Sequence, residues 1–131
     1  MMKPGELTID DWVKVDQTTE TVTARVLGVH KDGVINYEVD YSGVRATDQI
    51  HSDYVSPIEL TEDILVNNRF ALDKSLAEIG TRVYTKPCPA GDLSVKVFHD
   101  GSIRFGFIKL TYVHTLQHLL RLAGAQKDIE L

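Results

Sequence analysis

Val26-Leu27-Gly28-Val29-His30-Lys31-Asp32-Gly33-Val34-Ile35-Asn36-Tyr37-Glu38-Val39-Asp40-Tyr41 decides the fold. Apolar and polar residues alternate after the glycine, which places Ile35, Tyr37, Val39 and Tyr41 on one face of a strand. Asp32-Gly33 supplies the positive φ angles of a type I′ turn, whose twist matches paired strands. Arg25–Val29 and Val34–Val39 are therefore expected to form a hairpin. Upstream, Val13-Lys14-Val15 alternates and Thr21–Val29 is rich in β-branched residues. Downstream, Ser42-Gly43 marks a further turn, and Gln49–Tyr54 with Val55–Ile58 closes the segment. Short strands packed this densely cannot stay a flat sheet with one bare face. Curling into an SH3-like small β-barrel buries that face and reduces exposed edges. Residues 1–60 are read as this module.

Residues 61–131 have a different texture. Thr61 is a good N-cap, and Glu62 and Asp63 then sit at the positive end of the helix dipole. A helix of about two turns is expected there, ending in a left-handed residue at Asn67-Asn68. Leu72, Leu76 and Ile79 permit a helical turn over Leu72–Ile79. Thr81–Thr85 reads as a strand, and Pro87-Cys88-Pro89 as a loop. Leu93–Phe98 and Ser102–Ile108 flank Asp100-Gly101 and read as a second hairpin with the same turn chemistry as the first. Tyr112–Ala123 reads as a helix with two neighbouring apolar stripes, one through Tyr112, Leu116, Leu119 and Ala123, the other through Val113, Leu116, Leu120 and Ala123. Gly124 is the expected C′ residue, and the tail 125–131 an expected edge strand. The fold class is α+β: an N-terminal SH3-like barrel, a short linking helix, then a β-hairpin packed by a C-terminal helix.

The chain has 131 residues and a net charge of −5. Residues 1–60 hold 5 basic and 11 acidic residues, a net −6, and residues 61–131 hold 9 and 8, a net +1. The first half should repel a phosphate backbone at long range, since non-specific nucleic-acid affinity rests on Lys and Arg. The one cysteine, Cys88, excludes an intramolecular disulfide and a thiolate zinc cage. No apolar stretch reaches the ~18–20 residues of a membrane span. The N-terminus has no signal-peptide pattern, so a cytoplasmic protein is expected.

Three stretches together carry a likeness: Val26–Gly33, the block Ser56-Pro57-Ile58-Glu59-Leu60-Thr61-Glu62-Asp63-Ile64-Leu65, and the block Leu110–Gly124. Their order resembles a family of small uncharacterised proteins from Bacteroidetes and their prophage-like elements. In that family a PIPLTEEWL…GF segment precedes a C-terminal YVHQLQNLYFALTGEEL helix. Tyr112-Val113-His114, Leu116-Gln117 and Gly124 agree with the pattern. The family's glycine before Phe70 is Arg69 here, and its acidic pair after Gly124 is Ala125-Gln126. The resemblance implies a build and a link to mobile elements, not a reaction, and it marks Tyr112, His114 and Gln117 as structural or interaction residues.

Several residues invite a chemical reading. His114 and His118 are spaced i, i+4, which sets both imidazoles on one helix face, as a metal needs. The acidic partner of the zinc-protease motif is missing, since Thr115 follows His114, and a third ligand such as His99 would have to come from elsewhere. The competing reading is that His114 fixes the helix on the sheet. Cys88 lacks a visible His–Asn grouping for a nucleophile. Asp10-Asp11, Asp40, Asp48 and Asp53 do not have calcium-loop spacing and read as solvated turns and edges. No Gly-rich phosphate loop and no Gly-x-Ser-x-Gly elbow exist, so no catalytic residue, metal or cofactor is assigned. Trp12, Tyr37, Tyr41 and Tyr54 either fill the barrel or present an aromatic surface to an extended peptide.

Three classes of function follow. A non-catalytic protein-interaction or adaptor module, linked to phage or mobile elements, binds an unknown protein partner or a second copy of itself, and Tyr112, His114, Gln117, His118, Trp12, Tyr37 and Tyr41 are its candidate residues. A nucleic-acid-associated protein requires Arg69, Lys86, Lys96, Arg104, Lys109 and Arg121 to gather on one face. An enzyme requires a concave pocket with perturbed titratable groups. The first is preferred, and no membrane partner is expected.

Overall fold

The computed structural model describes residues 2–74, 80–126 and 129–131. The chain divides into two compact units, Met1–Ile58 and Glu59–Leu131. Each is built on a five-stranded antiparallel sheet, and two helices lie in the second.

The first sheet comprises β1 (Trp12–Asp16), β2 (Thr21–Val29), β3 (Val34–Tyr41), β4 (Val44–His51) and β5 (Val55–Pro57), in the order β4-β3-β2-β1-β5. Its core is formed by alternate residues: Val13 and Val15 of β1, Ala24 and Val26 of β2, Ile35, Tyr37 and Val39 of β3, and Val55 of β5. Met2 and Leu7 complete it. On the opposite face Arg25 donates to Glu38 at 3.0 Å across their register pair.

The two outermost strands, β4 and β5, are joined only by a 3₁₀ turn, Ser52–Tyr54. In a flat sheet of five strands those edges would lie roughly 19 Å apart. The four Cα steps from His51 to Val55 reach about 15 Å when fully extended, and less in a helical turn. The sheet must therefore curl. A register shift between Val26 and Gly28 in β2 provides a bulge, which sharpens local twist. Among the described residues no ladder joins β4 to β5. The first sheet is thus curled and, among the described residues, not closed by a ladder between its edges.

The first turn also differs from expectation. At Asp32-Gly33 only Gly33 has positive φ (87°), so the connection is not type I′. Gly33 N–H donates to His30 O, and the Asp32 carboxylate accepts from Val34 N–H. Type I′ signs occur instead at Ser42-Gly43, with φ of 55° and 90°, where two residues join β3 to β4. The turn at Asp100-Gly101 repeats the first one: Gly101 N–H donates to Phe98 O, and the Asp100 carboxylate accepts from Ser102 N–H.

The second sheet comprises β6 (Ala71–Leu72), β7 (Thr81–Lys86), β8 (Leu93–Phe98), β9 (Ile103–Phe105) and β10 (Ile108–Lys109), in the order β10-β9-β8-β7-β6. Leu72 is thus a strand residue rather than part of a helical turn, and the rest of that expected turn, 75–79, lies outside the described residues. The expected second hairpin is cut short at Phe105. Gly106-Phe107 turns the chain again, and Ile108 belongs to a further strand.

Helix α1 (Glu62–Asn67) is capped by Thr61, whose hydroxyl accepts from Ile64 N–H. Its end closes with two reversed bonds, Arg69 N–H to Val66 O and Phe70 N–H to Leu65 O. This is a Schellman motif, and the left-handed C′ residue is Arg69 (φ 69°), not the asparagine pair. Helix α2 (Val113–Leu122) ends in the same way, with Gly124 at C′. Its buried face carries Val113, Leu116 and Leu120 together with His114 and Gln117. Of the other stripe, Leu116 shares that face while Tyr112 is exposed and Leu119 half-buried, and Tyr112 is the N-cap rather than a helical residue. No described strand forms from the tail, where Ile129 is buried.

Candidate functional site

The first unit carries an open groove of about 780 Å³. Its lining comes from the β1–β2 turn (Asp16 to Thr19), from Tyr37 of β3, from Asp48, Gln49 and Ile50 of β4, and from Tyr54 of the 3₁₀ turn. Curling of the sheet brings these elements together, because the turn carrying Tyr54 spans from the β4 edge to the β5 edge.

One side chain organises the groove wall. Gln17 Nε2 donates to the Tyr37 hydroxyl at 3.0 Å, and Gln17 Oε1 accepts from the Tyr41 hydroxyl at 3.4 Å. Tyr37 is a core residue whose ring is buried while its hydroxyl reaches this bridge. Tyr41 and Tyr54 stand exposed. None of the described lining residues is a cation, and Asp16 and Asp48 supply negative charge. Trp12 is half-buried at the start of β1 and does not line the groove. Gln17 and Tyr54 complete the site. Gln17 carries no signal in the sequence, since a glutamine in a polar turn has no periodicity to betray its partner.

The candidates on α2 behave differently. His114 and Gln117 are buried, and His118 is half-buried. The Tyr112 and His114 rings stack with centroids 5.8 Å apart, and His118 meets His114 edge-on at 5.7 Å. This is an aromatic row that runs from the exposed Tyr112 ring through buried His114 to half-buried His118. Among the described residues no three of His, Cys, Asp and Glu gather as a metal cluster, and His99 does not join the pair. Cys88 donates its thiol to Lys86 O at 3.5 Å within the loop.

Asp11 departs from expectation. Its carboxylate is fully buried and accepts from the Thr8 N–H at 2.8 Å and the Thr8 hydroxyl at 3.3 Å, so it pins the entry to β1 rather than facing solvent.

In the second unit Glu62 is held by Arg82 in a two-pronged contact (2.6 and 3.0 Å) and by the Tyr84 hydroxyl (2.6 Å). The Arg82 hydrogen bond, then that of Tyr84, holds the Glu62 carboxyl below the usual carboxylate range. The same contact with Glu62 raises the Tyr84 phenol. The cluster ties α1 to β7.

Of the six cations singled out in the sequence, three form a row. Lys96 of β8, Arg104 of β9 and Lys109 of β10 are direct register partners across adjacent strands. The Arg104 guanidinium also lies 5.6 Å from the Phe98 ring centre. Arg69 and Lys86 line a separate cavity with Asn68, and Arg121 is on α2.

No family model, curated protein or solved structure matches this chain. No helix among the described residues is long and apolar enough to cross a membrane.

Proposed function

We propose that this chain is a non-catalytic protein-interaction module whose first unit, an SH3-like small barrel in plan, receives an extended cationic peptide segment in the groove beside Tyr54. The observation that carries this reading is the exposed Tyr54 ring on a groove whose described charged lining residues are the carboxylates Asp16 and Asp48, with exposed Tyr41 bonded to the lining residue Gln17 just outside it. Aromatic-lined grooves suit extended segments because a polyproline-like backbone loses little entropy on docking. Lys or Arg on such a segment finds both ring faces and carboxylates. The three-residue tether between the edge strands supports the small-barrel plan. We place the chain with the small Bacteroidetes and prophage-associated proteins resembled by its 56–65 and 110–124 blocks, which fits a module acting through a partner.

Panning a displayed random-peptide library on the whole protein tests this reading. Proline-containing, basic peptides should be enriched, and Tyr54→Ala and Tyr41→Ala should lose them. Failure to enrich, or equal binding by both variants, removes the groove as a docking site.

The cation row favours a second reading, association with single-stranded nucleic acid. Cations in register on adjacent strands form a line that can follow a phosphate backbone, and the Phe98 ring beside Arg104 offers a stacking surface. A gel shift at low salt should then show retardation that Arg104→Glu abolishes, and no retardation at any salt concentration eliminates this reading.

A further inference from the structure

Strand β4 is an eight-residue edge, and its side chains are exposed along nearly its whole length on both faces. Edges of this length are usually blunted by proline, by charged side chains, lysine above all, or by a bulge; β4 has only Arg45 and Asp48 as charges, of opposite sign. The sequence Val44-Arg45-Ala46-Thr47-Asp48-Gln49-Ile50-His51 has no proline or lysine, and its ladder with β3 runs without a register shift.

The ladder also fixes which backbone groups point outward. The two-residue loop makes Tyr41 and Val44 a hydrogen-bonded pair, and bonded pairs recur at every second residue. The bond from Ser52 N–H to Gly33 O, at 2.8 Å, falls in the same series. Residues 44, 46, 48 and 50 therefore face β3, and the N–H and C=O groups of Arg45, Thr47 and Gln49 face away from it.

We propose that this edge pairs antiparallel with β4 of a second copy, with Thr47 opposite Thr47 on the two-fold axis. The outward groups can meet only if bonded residues oppose bonded residues, which excludes every other register. Among those that remain, the Thr47 register sets Arg45 against Gln49 and Val44 against Ile50, with no like charges opposed. Sliding by one allowed step in one direction places Asp48 against Asp48, and the step in the other direction leaves Ile50 without a partner. The strand is thus complementary to itself in one register, which is why a second copy is the occupant. The contact involves about eight residues a side, against the roughly 20–30 of a standard stable interface. The dimer is accordingly weak and concentration-dependent. One local contact competes with it: the Asp48 carboxylate accepts the outward Gln49 N–H at 2.8 Å.

Sedimentation velocity over a concentration series tests the pairing. The 14.7 kDa species should give way to one of twice the mass as concentration rises. Thr47→Pro removes an outward N–H and leaves the β3 ladder intact, so it should remain folded by circular dichroism and stay monomeric. Thr47→Val, which keeps the N–H, should still dimerise, and Asp48→Ala should dimerise at lower concentration. In a Cys88→Ser background, Thr47→Cys should form an intermolecular disulfide at least ~10-fold faster than Arg45→Cys, since the Cα separation at the two-fold position suits a disulfide. A wild type that stays monomeric throughout, a folded Thr47→Pro that still dimerises, or equal cross-linking at both positions overturns the proposal.

Discussion

The side-chain amide of Asn68 and the main chain of Glu130 exchange two hydrogen bonds, both 2.7 Å long. Asn68 thereby takes the place of a strand partner for the C-terminal tail. Its remaining N–H bonds Ile64 O at 2.8 Å, so the buried amide is fully used. Asn68→Ala should cost about 1–3 kcal/mol, as expected for leaving buried groups unpaired. Asn68→Asp should also destabilise, because a carboxylate cannot donate to Ile64 O and Glu130 O. Urea denaturation measures the loss, and unchanged midpoints for both variants would show that the tail contributes nothing.

Arg69 occupies the left-handed C′ position that Gly124 occupies at the end of α2. A side chain there is strained, and that of Arg69 is exposed. Arg69→Gly should stabilise the protein by about 0.5–1 kcal/mol. The reverse change, Gly124→Ala, should destabilise by about 1–2 kcal/mol from backbone strain. The added Cβ would also lie only 3.2 Å from Pro89 Cβ. Thermal melting of the pair should show shifts of opposite sign.

The two Asp-Gly turns provide a matched comparison. Gly33 and Gly101 share φ near 87° and 86°. A Cβ at Gly101 meets open space, whereas at Gly33 it falls 2.9 Å from His51 Nε2. Both alanine variants should lose about 1 kcal/mol from backbone strain. Gly33→Ala should lose more, since His51 must move, and equal midpoints would mean that His51 yields freely.

Glu62 makes stability depend on acidity. Its folded-state pKa lies below its unfolded value, so its contribution is present above about pH 4.5 and is lost as pH falls through the lower folded value. Glu62→Gln should flatten the decline in urea midpoint between about pH 5 and about pH 3. The Tyr84 phenol works in the opposite direction: raised in the fold, it contributes below its unfolded pKa and is lost at high pH. An acid limb of unchanged slope in Glu62→Gln would show that the contact is too well solvated to matter.

The elements legible in the sequence are those whose pattern reports burial. Ile35, Tyr37 and Val39 alternate because β3 has one wet and one dry face. Thr61 and Gly124 announce helix ends by chemistry that only a few residue types supply. Strand β4 was not legible over 44–48, because a strand exposed on both faces has no alternation to read. The two-residue strands β6 and β10 are too short for a period of two to repeat. Tyr37 and Tyr41 were visible as aromatics, but Gln17, which joins them, was not, since the bond spans 20 residues and depends on how the sheet curls. His114 drew notice for its spacing to His118 and Gln117 through the family likeness; both are buried, which helical spacing could not tell, because it shows that two residues share a face without showing which way the face points.

The three-residue link at Ser52–Tyr54 has a mechanical consequence. Among the described residues no ladder holds β4 to β5, so chain length limits how far the first sheet can flatten, as a drawstring limits the mouth of a bag. Lengthening that link removes this limit without touching any strand pairing, and should let the side bearing Tyr54 move away from Gln17. The geometry of the groove thus depends on a covalent tether as well as on the hydrogen bonds of the sheet around it.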